Sequence, residues 1–271
     1  MTAMVTAPGR LHLGVGGLPP GPSVVAIGQF DGVHMGHRRL VAEAVRRADR
    51  LGVPAGAVTF DRHPAAVLAP DREPATLTGL DEKAELLASC GVDFVLALPL
   101  SPDLLRTSAA DFVTDLLAGA LDCRAVVVGT NFRFGHRAAG DPALLGELGR
   151  SHGMDVVVAD LVDVAGRPVS STRIRAEIAA GRVRSAARLL GRPHRVGAVV
   201  TGSRGRRCAV RLGTGTARPG SGRYRVSVDT GDRPGARLDT TDPAAVTLEL
   251  CDGTAPARGT RLWLGLLTEL G

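Results

Sequence analysis

The chain has 271 residues, of which 44% are hydrophobic, and a formal net charge of +6. No apolar run approaches the roughly 18 residues that a membrane-spanning helix needs, and the N-terminus lacks the basic start and apolar block of a secretory signal, so we expect a cytoplasmic protein without a membrane partner. The four cysteines lie far apart, which argues against a disulfide framework or a zinc knuckle, and the abundant arginine suits anionic partners.

Up to about residue 190, short apolar segments alternate with helical patterns. The apolar segments are 24–28, 55–60, 93–100, 125–129 and 155–160, and the helical patterns lie near 36–51, 80–91, 109–120 and 141–152. Continuously apolar strands are typical of a parallel sheet that is covered on both faces, and their alternation with helices is typical of α/β domains. We therefore predict a Rossmann-like α/β domain over residues 1–191, with helices on both faces of a parallel sheet.

The pattern changes after Gly191. Residues 195–200, 207–212, 223–229, 245–250 and 261–267 read as short strands, separated by turns rich in Gly, Pro, Asp and Thr. Several of these strands alternate between apolar and polar positions, and helical periodicity is almost absent. Residues 192–271 therefore predict a small antiparallel β-barrel domain.

The segment that follows the first apolar strand, Gly28 to His37, reads GQFDGVHMGH. Gly32 and Gly36 permit tight turns and close backbone approach, and the start of the next helix offers free N–H groups to an anion. His34 and His37 are spaced i, i+3 and can lie on the same side of the first helical turn. A zinc pair or incidental surface histidines are the alternatives, but no third ligand lies nearby in the sequence, so phosphate contact is favoured and no metal ligand is predicted.

Two later loops bring aromatic residues to strand ends. TFDRHP, residues 59–64, contains Phe60 and His63, and VVGTNFRFGHR, residues 127–137, contains Asn131, Phe132 and Phe134. A planar substrate would use such aromatic rings as a stacking surface, while packing alone could explain each phenylalanine separately.

A fourth segment, SSTRIR at residues 170–175, opens a short helix. Ser170 and Ser171 are natural helix caps, and hydroxyl groups, arginines and N-terminal amides could converge there on one anion. A plain capped helix with outward-facing arginines is the alternative.

Taken in order, these four segments resemble the bacterial bifunctional riboflavin kinase/FMN adenylyltransferase family, the prokaryotic FAD synthetases. GQFDGVHMGH is similar to the family's Gly-Asn-Phe-Asp-Gly-Val-His-x-Gly-His, and TFDRHP to its Thr-Phe-x-x-His-Pro. VGTNFRFG is similar to Val-Gly-x-(Asp/Asn)-Phe-x-Phe-Gly, and SSTRIR to Ser-Ser-Thr-x-Ile-Arg. The resemblance runs from about residue 20 to about residue 200, and four motifs in sequence order make it specific.

The resemblance implies a nucleotidyltransferase that moves AMP from ATP to FMN, giving FAD and pyrophosphate, with Mg²⁺ accompanying ATP. It implies catalytic roles for His34, His37 and Arg175. The implied nucleotide-binding residues are Gly28, Gln29, Phe30, Asp31, Gly32, Gly36, Ser170, Ser171, Thr172 and Arg175. The implied acceptor-binding residues are Phe60, His63, Asn131, Phe132 and Phe134.

The chain departs from the family pattern at two places. Gln29 stands where the family usually has Asn. In the C-terminal barrel, GSRGRR is followed by CAVRLGTG rather than by the family's Pro-Thr-Ala-Asn, and Thr247 occupies the position of the catalytic Glu if VTLELCDG is aligned on Asp252. We therefore predict that the barrel has lost riboflavin kinase activity.

Three other functions stay open at this stage. The first is a related nucleotidyltransferase with another acceptor, such as a flavin analogue or a phosphate or phosphonate of specialised metabolism, or with another donor, such as CTP. The second is a nucleic-acid-binding barrel, against which Tyr224 counts as the only aromatic residue within 195–237. The third is a flavin- or nucleotide-binding regulator without catalysis, against which the intact histidine pair counts. The oligomeric state cannot be read from the sequence.

Overall fold

The computed structural model describes residues 9–18, 21–229 and 235–270, and the chain divides into two compact units. The first unit contains the chain up to Pro74 together with Leu80–Pro168, and the second contains Ala75–Gly79 and the residues from Val169 onward. The domain boundary at residue 191 stays a prediction. Within the described ranges, no helix combines the length and the apolar composition that crossing a bilayer requires.

The first unit is built on a parallel six-stranded sheet in the order β1-β4-β3-β2-β5-β6. The strands are β1 (Arg10–Leu13), β2 (Ser23–Ile27), β3 (Ala55–Phe60), β4 (Phe94–Leu98), β5 (Cys123–Gly129) and β6 (Asp155–Ala159). The helices are α1 (Met35–Leu51), α2 (Ala65–Leu68), α3 (Leu80–Ala88), α4 (Pro102–Arg106), α5 (Ala109–Asp111), which continues as a π-type helix over Phe112–Ala120, and α6 (Pro142–Ser151). Short 3₁₀ turns occupy Pro70–Arg72 and His136–Ala138, and a hairpin pairs β7 (Asp163–Val164) with β8 (Arg167–Pro168).

The inner strands β2 to β5 are largely buried on both faces, as the apolar segments predicted, whereas the prediction is wrong for the edge strand β6, where Val158 is 45% exposed. On β2, Val24 and Ala26 join a core that includes buried residues of α1 and α3, whereas Val25 and Ile27 join a separate core with the π-type helix and α6. Because successive side chains of a strand point to opposite faces, these two cores lie on opposite sides of the sheet. The edge strand β1 was not predicted, because a four-residue strand with mixed burial does not stand out in the sequence.

The chain reverses its direction across the sheet at β2. From β2 it proceeds through β3 to β4 on one side and then crosses to β5, which pairs with β2 on the other side. In parallel α/β sheets such a reversal opens a crevice at the carboxyl ends of the two strands, where ligands bind. Functional residues are therefore expected in the loops that follow β2 and β5.

The second unit is a closed antiparallel barrel preceded by two helices, in agreement with the predicted fold class. The helices are α7 (Ser171–Ala179) and α8 (Val183–Leu190), and the strands are β9 (His194–Arg204), β10 (Arg207–Leu212), β11 (Arg223–Val228), β12 (Ala236–Asp239), β13 (Thr247–Leu250) and β14 (Arg261–Leu270). Tyr224 and Val226 point into the barrel while Arg223 and Arg225 face outward. Two elements of this unit, β12 and α8, were missing from the sequence prediction, and the four residues of β12 are too few to show a pattern.

Gly56 offers a direct test of how tightly the sheet is packed. A β-carbon at Gly56 would lie 2.2 Å from the ring of Phe94 on the neighbouring strand, where both residues are buried. We expect Gly56→Ala to destabilise the first unit by about 1–3 kcal/mol, because the added methyl group forces either the strand β3 or the ring of Phe94 to shift. The measurement is the midpoint of chemical denaturation followed by far-UV circular dichroism.

Gly146→Ala is the matched control, because it makes the same change within α6 of the same unit, where nothing lies within 4 Å of the new carbon. In a helix interior, alanine is more favourable than glycine by up to about 1 kcal/mol of folding free energy. This variant should therefore be as stable as the wild type or slightly more stable. Equal midpoints for the two variants would contradict the packing described for Gly56.

Candidate active site

The turn between β2 and α1 has a strained and fully anchored backbone. Phe30 (φ 50°), Gly32 (φ 82°) and Val33 (φ 39°) all adopt left-handed conformations. A β-branched residue such as Val33 rarely does so, and this strain persists only where the surroundings fix it. The side chains of Phe30 and Val33 are completely buried in the core below the turn. Apolar burial therefore holds the turn in one shape and fixes where the next residues point.

His34 is the N-cap of α1. Its backbone is extended (φ −69°, ψ 174°), and its Nδ1 atom accepts a hydrogen bond from the backbone N–H of His37 at 3.3 Å. Because Nδ1 accepts, the proton of the neutral ring lies on Nε2. Gly36 makes room for this ring, since a β-carbon there would lie 3.2 Å from the Cε1 and Nδ1 atoms of His34. The first turn of α1 contains no acidic residue, so its N–H groups favour an anion.

The rings of His34 and His37 are stacked, with centroids 3.6 Å apart and planes 16° from parallel. The edge of Phe30 meets His37 at 5.3 Å, and the Nδ1 atom of His37 is buried without a hydrogen-bond partner among the described residues. Burial, together with repulsion from His34 and from Lys83, holds the pKa of His37 well below its ordinary value. His37 is therefore a neutral imidazole at pH 7, and it can pack against His34 without charge repulsion.

Lys83 lies close to this pair, and the sequence reasoning missed it. It is the only lysine of the chain, it lies on α3, and its side chain is 4% exposed. Its Nζ donates hydrogen bonds to Phe60 O at 3.0 Å and Thr59 Oγ1 at 3.3 Å, and the Thr59 hydroxyl donates to Gln29 O at 3.0 Å. Burial lowers the pKa of Lys83 to about 8, against the opposing attraction of Asp31 and Asp61. A lone lysine on the apolar face of an amphipathic helix was the signal that could have revealed it.

The loop after β3 is tied to the histidine turn. The Nε2 atom of Gln29 donates to Arg62 O at 3.1 Å. Asp61 Oδ1 accepts from the backbone N–H of Leu100 at 2.9 Å, and His63 Nδ1 accepts from that of Ala65 at 3.1 Å. Gln29, which departs from the family's Asn, thus joins the first two predicted segments of the site through its side chain.

The loop after β5 places its aromatic residues at different depths. Phe134 is buried, lies 5.5 Å from Phe112, and pairs through its backbone with Gly140. Phe132 is half-buried and stacks on Phe134 at 5.4 Å, and Asn131 is exposed. The acceptor contacts of these residues stay a prediction. Of the three, Asn131 and Phe132 are reachable from solvent, and Phe134 supports Phe132 from beneath.

The hydroxyl-rich helix start belongs to the second unit. Ser170 caps α7, because its Oγ accepts from the backbone N–H of Arg173 at 3.2 Å, which confirms the predicted cap. The Nε of Arg175 donates to Ala75 O at 2.8 Å, and Arg175 lines an open cleft of about 890 Å³ within this unit together with Arg211 and Arg218. The phosphate-binding roles of Ser170, Ser171, Thr172 and Arg175 stay predictions.

No group of three or more His, Cys, Asp or Glu side chains that could hold a metal ion occurs in the described part of the chain. The residues of the histidine turn fit a phosphate ligand better than a protein-bound cation, because they offer ring N–H and helix N–H donors.

Comparisons with known proteins point to one family. Residues 19–173 match the family model described as FAD synthetase. A bifunctional riboflavin kinase/FMN adenylyltransferase of Pseudomonas fluorescens is 39% identical over 214 residues, which are 76% of this chain and 68% of the relative. The protein of the same name from Escherichia coli K12 is 36% identical over 71% of this chain and 63% of its own length, and that from Listeria monocytogenes is 34% identical over 67% and 58%.

A solved structure shares the fold of both units. A Streptococcus pneumoniae protein named as a macrolide-efflux protein superposes with a TM-score of 0.83 at 25% identity, covering 93% of this chain and 95% of that one. The sequence match includes the histidine turn and the capped start of α7, while the chain spans about two thirds of the length of its curated relatives. By its sequence, its fold and the motifs at its strand ends, the chain belongs to the FAD synthetase family.

Proposed function

We propose that the protein transfers AMP from ATP to the phosphate of FMN, giving FAD and pyrophosphate. One observation carries this proposal: two stacked, neutral histidines cap and line the start of α1 at the reversal point of a parallel sheet. Membership of the FAD synthetase family supports the same reaction.

In this reaction an oxygen of the FMN phosphate attacks the α-phosphorus of ATP. A new P–O bond forms, the bond to the β-phosphate oxygen breaks, and pyrophosphate leaves with the bonding electron pair. Negative charge grows on the oxygens of the pentacoordinate transition state. The Nε2–H of His34, a ring N–H of His37 and the N–H groups at the start of α1 donate to those oxygens, so no covalent enzyme intermediate is required.

ATP enters as its Mg²⁺ complex, in which the cation offsets the charge of the β- and γ-phosphates. Ser170, Ser171, Thr172 and Arg175 are proposed to bind those phosphates. Gly28, Gln29, Asp31, Gly32 and Gly36 shape the nucleotide pocket, to which Phe30 contributes through its backbone because its ring is buried. Phe60, His63, Asn131 and Phe132 are proposed to meet the flavin, with Phe134 supporting Phe132.

The histidine pair gives the first test of this proposal. The wild-type protein with ATP, FMN and Mg²⁺ should form FAD, detected by chromatography and by pyrophosphate release. His37→Ala removes one transition-state donor, and the loss of such a donor costs about 10²–10³ in kcat. His152→Ala, at an exposed position on the same unit, is the matched control and should keep the wild-type rate. A His37→Ala enzyme with an unchanged kcat would overturn the assigned role.

The barrel gives a second test, because we propose that it no longer phosphorylates riboflavin. Residues 208–212, where the family has its phosphate loop, belong to strand β10. Glu249 on β13 is partly exposed and pairs with Arg207 at 3.3 Å, and we propose that it serves this ion pair rather than the role of the missing catalytic Glu. Riboflavin, ATP and Mg²⁺ should therefore yield no FMN, while FMN added to the same mixture is converted to FAD. Steady FMN formation would contradict the loss of kinase activity.

Gln29 supports a second candidate function, which is that of a related transferase with a different donor or acceptor. Its side chain is longer than the family's Asn and is bonded to Arg62 O, which alters the wall of the nucleotide turn. A panel of ATP, CTP and GTP against FMN, read by pyrophosphate release, separates the candidates. We expect ATP to be used at least tenfold more efficiently than the others, as kcat/KM. Preference for another triphosphate would favour the second candidate.

A further inference from the structure

We propose that Lys83 is a positioning residue for adenylyl transfer: through Thr59 it holds the end of β3 against the turn that presents His34 and His37, and it keeps a buried ammonium group beside those rings. This inference rests on the proposed function, since it assigns a role within the same site.

The geometry links Lys83 to the histidine turn by a short chain of hydrogen bonds. The Nζ of Lys83 reaches Phe60 O at 3.0 Å and Thr59 Oγ1 at 3.3 Å, and the Thr59 hydroxyl passes the link to Gln29 O at 3.0 Å. Thr59 is completely buried and Lys83 nearly so. Gln29 precedes the strained residue Phe30, whose ring meets His37, so a shift of Lys83 would be transmitted to the catalytic rings.

The charge of Lys83 acts on three groups from three different elements. It attracts Asp31 in the turn before α1 and Asp61 after β3, and it repels a proton from His37 on α1. An ammonium group here therefore adds to the effect of burial in keeping His37 neutral, and it adds a positive field where phosphates would bind. Two hydrogen bonds alone would not need a cation, because a neutral side chain could make them without the cost of burying charge.

The free-energy cost of burying the ammonium group of Lys83 makes a functional role distinguishable from a structural one. The pKa of Lys83 in the folded protein, about 8, lies below its ordinary value of 10.5, so folding is opposed by the protonated group and stability should rise as the pH increases from about 8 to 10.5. The rate should fall over the same interval, because the ammonium group is lost. If Lys83 merely stabilised the core, the stability and the rate would instead rise or fall together over this pH interval.

The experiment compares Lys83→Met with the wild-type protein and with Glu85→Gln, an exposed charge removal on the same helix. We expect Lys83→Met to lower kcat for FAD formation at least tenfold, to keep KM for ATP and FMN within threefold, and to melt at or above the wild-type temperature at pH 7. Its pH–rate profile should lose the decline above pH 8. Thr59→Val, which breaks the link but keeps the charge, should lower kcat without removing that decline. Glu85→Gln should match the wild type throughout.

Two NMR titrations provide readouts that do not depend on turnover. Because Lys83 is the only lysine, ¹³C-lysine labelling gives one side-chain Cε resonance, which should titrate near pH 8. In Lys83→Met, the His37 ring signal should titrate at a higher pH than in the wild type, because a repelling charge has been removed. Its assignment comes from the His37→Ala spectrum.

The inference is overturned if Lys83→Met keeps kcat within twofold of the wild type, or if it loses activity together with a lower melting temperature and an unchanged His37 titration. A lysine resonance that titrates near 10.5 would equally overturn it. A wild-type protein that forms no FAD would overturn the proposed function instead, and the two NMR titrations would still report where the charge of Lys83 acts.

Discussion

The site depends on the anchoring of one turn. Phe30 and Val33 adopt left-handed backbone conformations that are unfavourable for their residue types. Burial of both side chains compensates for that strain. The anchored turn sets His34 at the cap of α1, where its ring accepts the N–H of His37 and stacks on the neighbouring imidazole. Without those two buried side chains, the histidines would sit on a flexible glycine-rich loop.

A histidine is an uncommon helix cap, and the choice has a chemical consequence. Serine or aspartate would satisfy the same backbone N–H, but neither carries a second ring nitrogen that can donate a hydrogen bond. In His34 the Nδ1 atom accepts the N–H of the helix, so Nε2 carries the proton of the neutral ring. Gly36 belongs to the same arrangement, since any larger residue would press on the His34 ring. The spacing of the two histidines and the glycine between them thus follows from one local geometry.

Several features around the site lower the stability of the folded protein while they place charged and polar groups next to the histidines. Three features each oppose folding: a nearly buried ammonium group at Lys83, the His37 Nδ1 atom buried without a hydrogen-bond partner among the described residues, and a β-branched residue in a left-handed conformation. Such features cluster at functional sites, because the rest of a domain supplies the stability that they remove. Here the two cores on either side of the parallel sheet supply it.

The sequence by itself determined the fold class, the four motif segments and the family, because continuously apolar strands and glycine-histidine spacing are local properties of the chain. It also determined that Ser170 begins a helix, since capping depends only on neighbouring residues. The short strands β1 and β12 escaped it, because they are held by their sheet partners rather than by their own patterns. Only the tertiary structure decided that Phe134 packs in the core, that Gln29 bonds to Arg62, and that Lys83 reaches the histidine turn through Thr59. These contacts join residues from different strands and helices, and no local pattern encodes which distant side chains will meet.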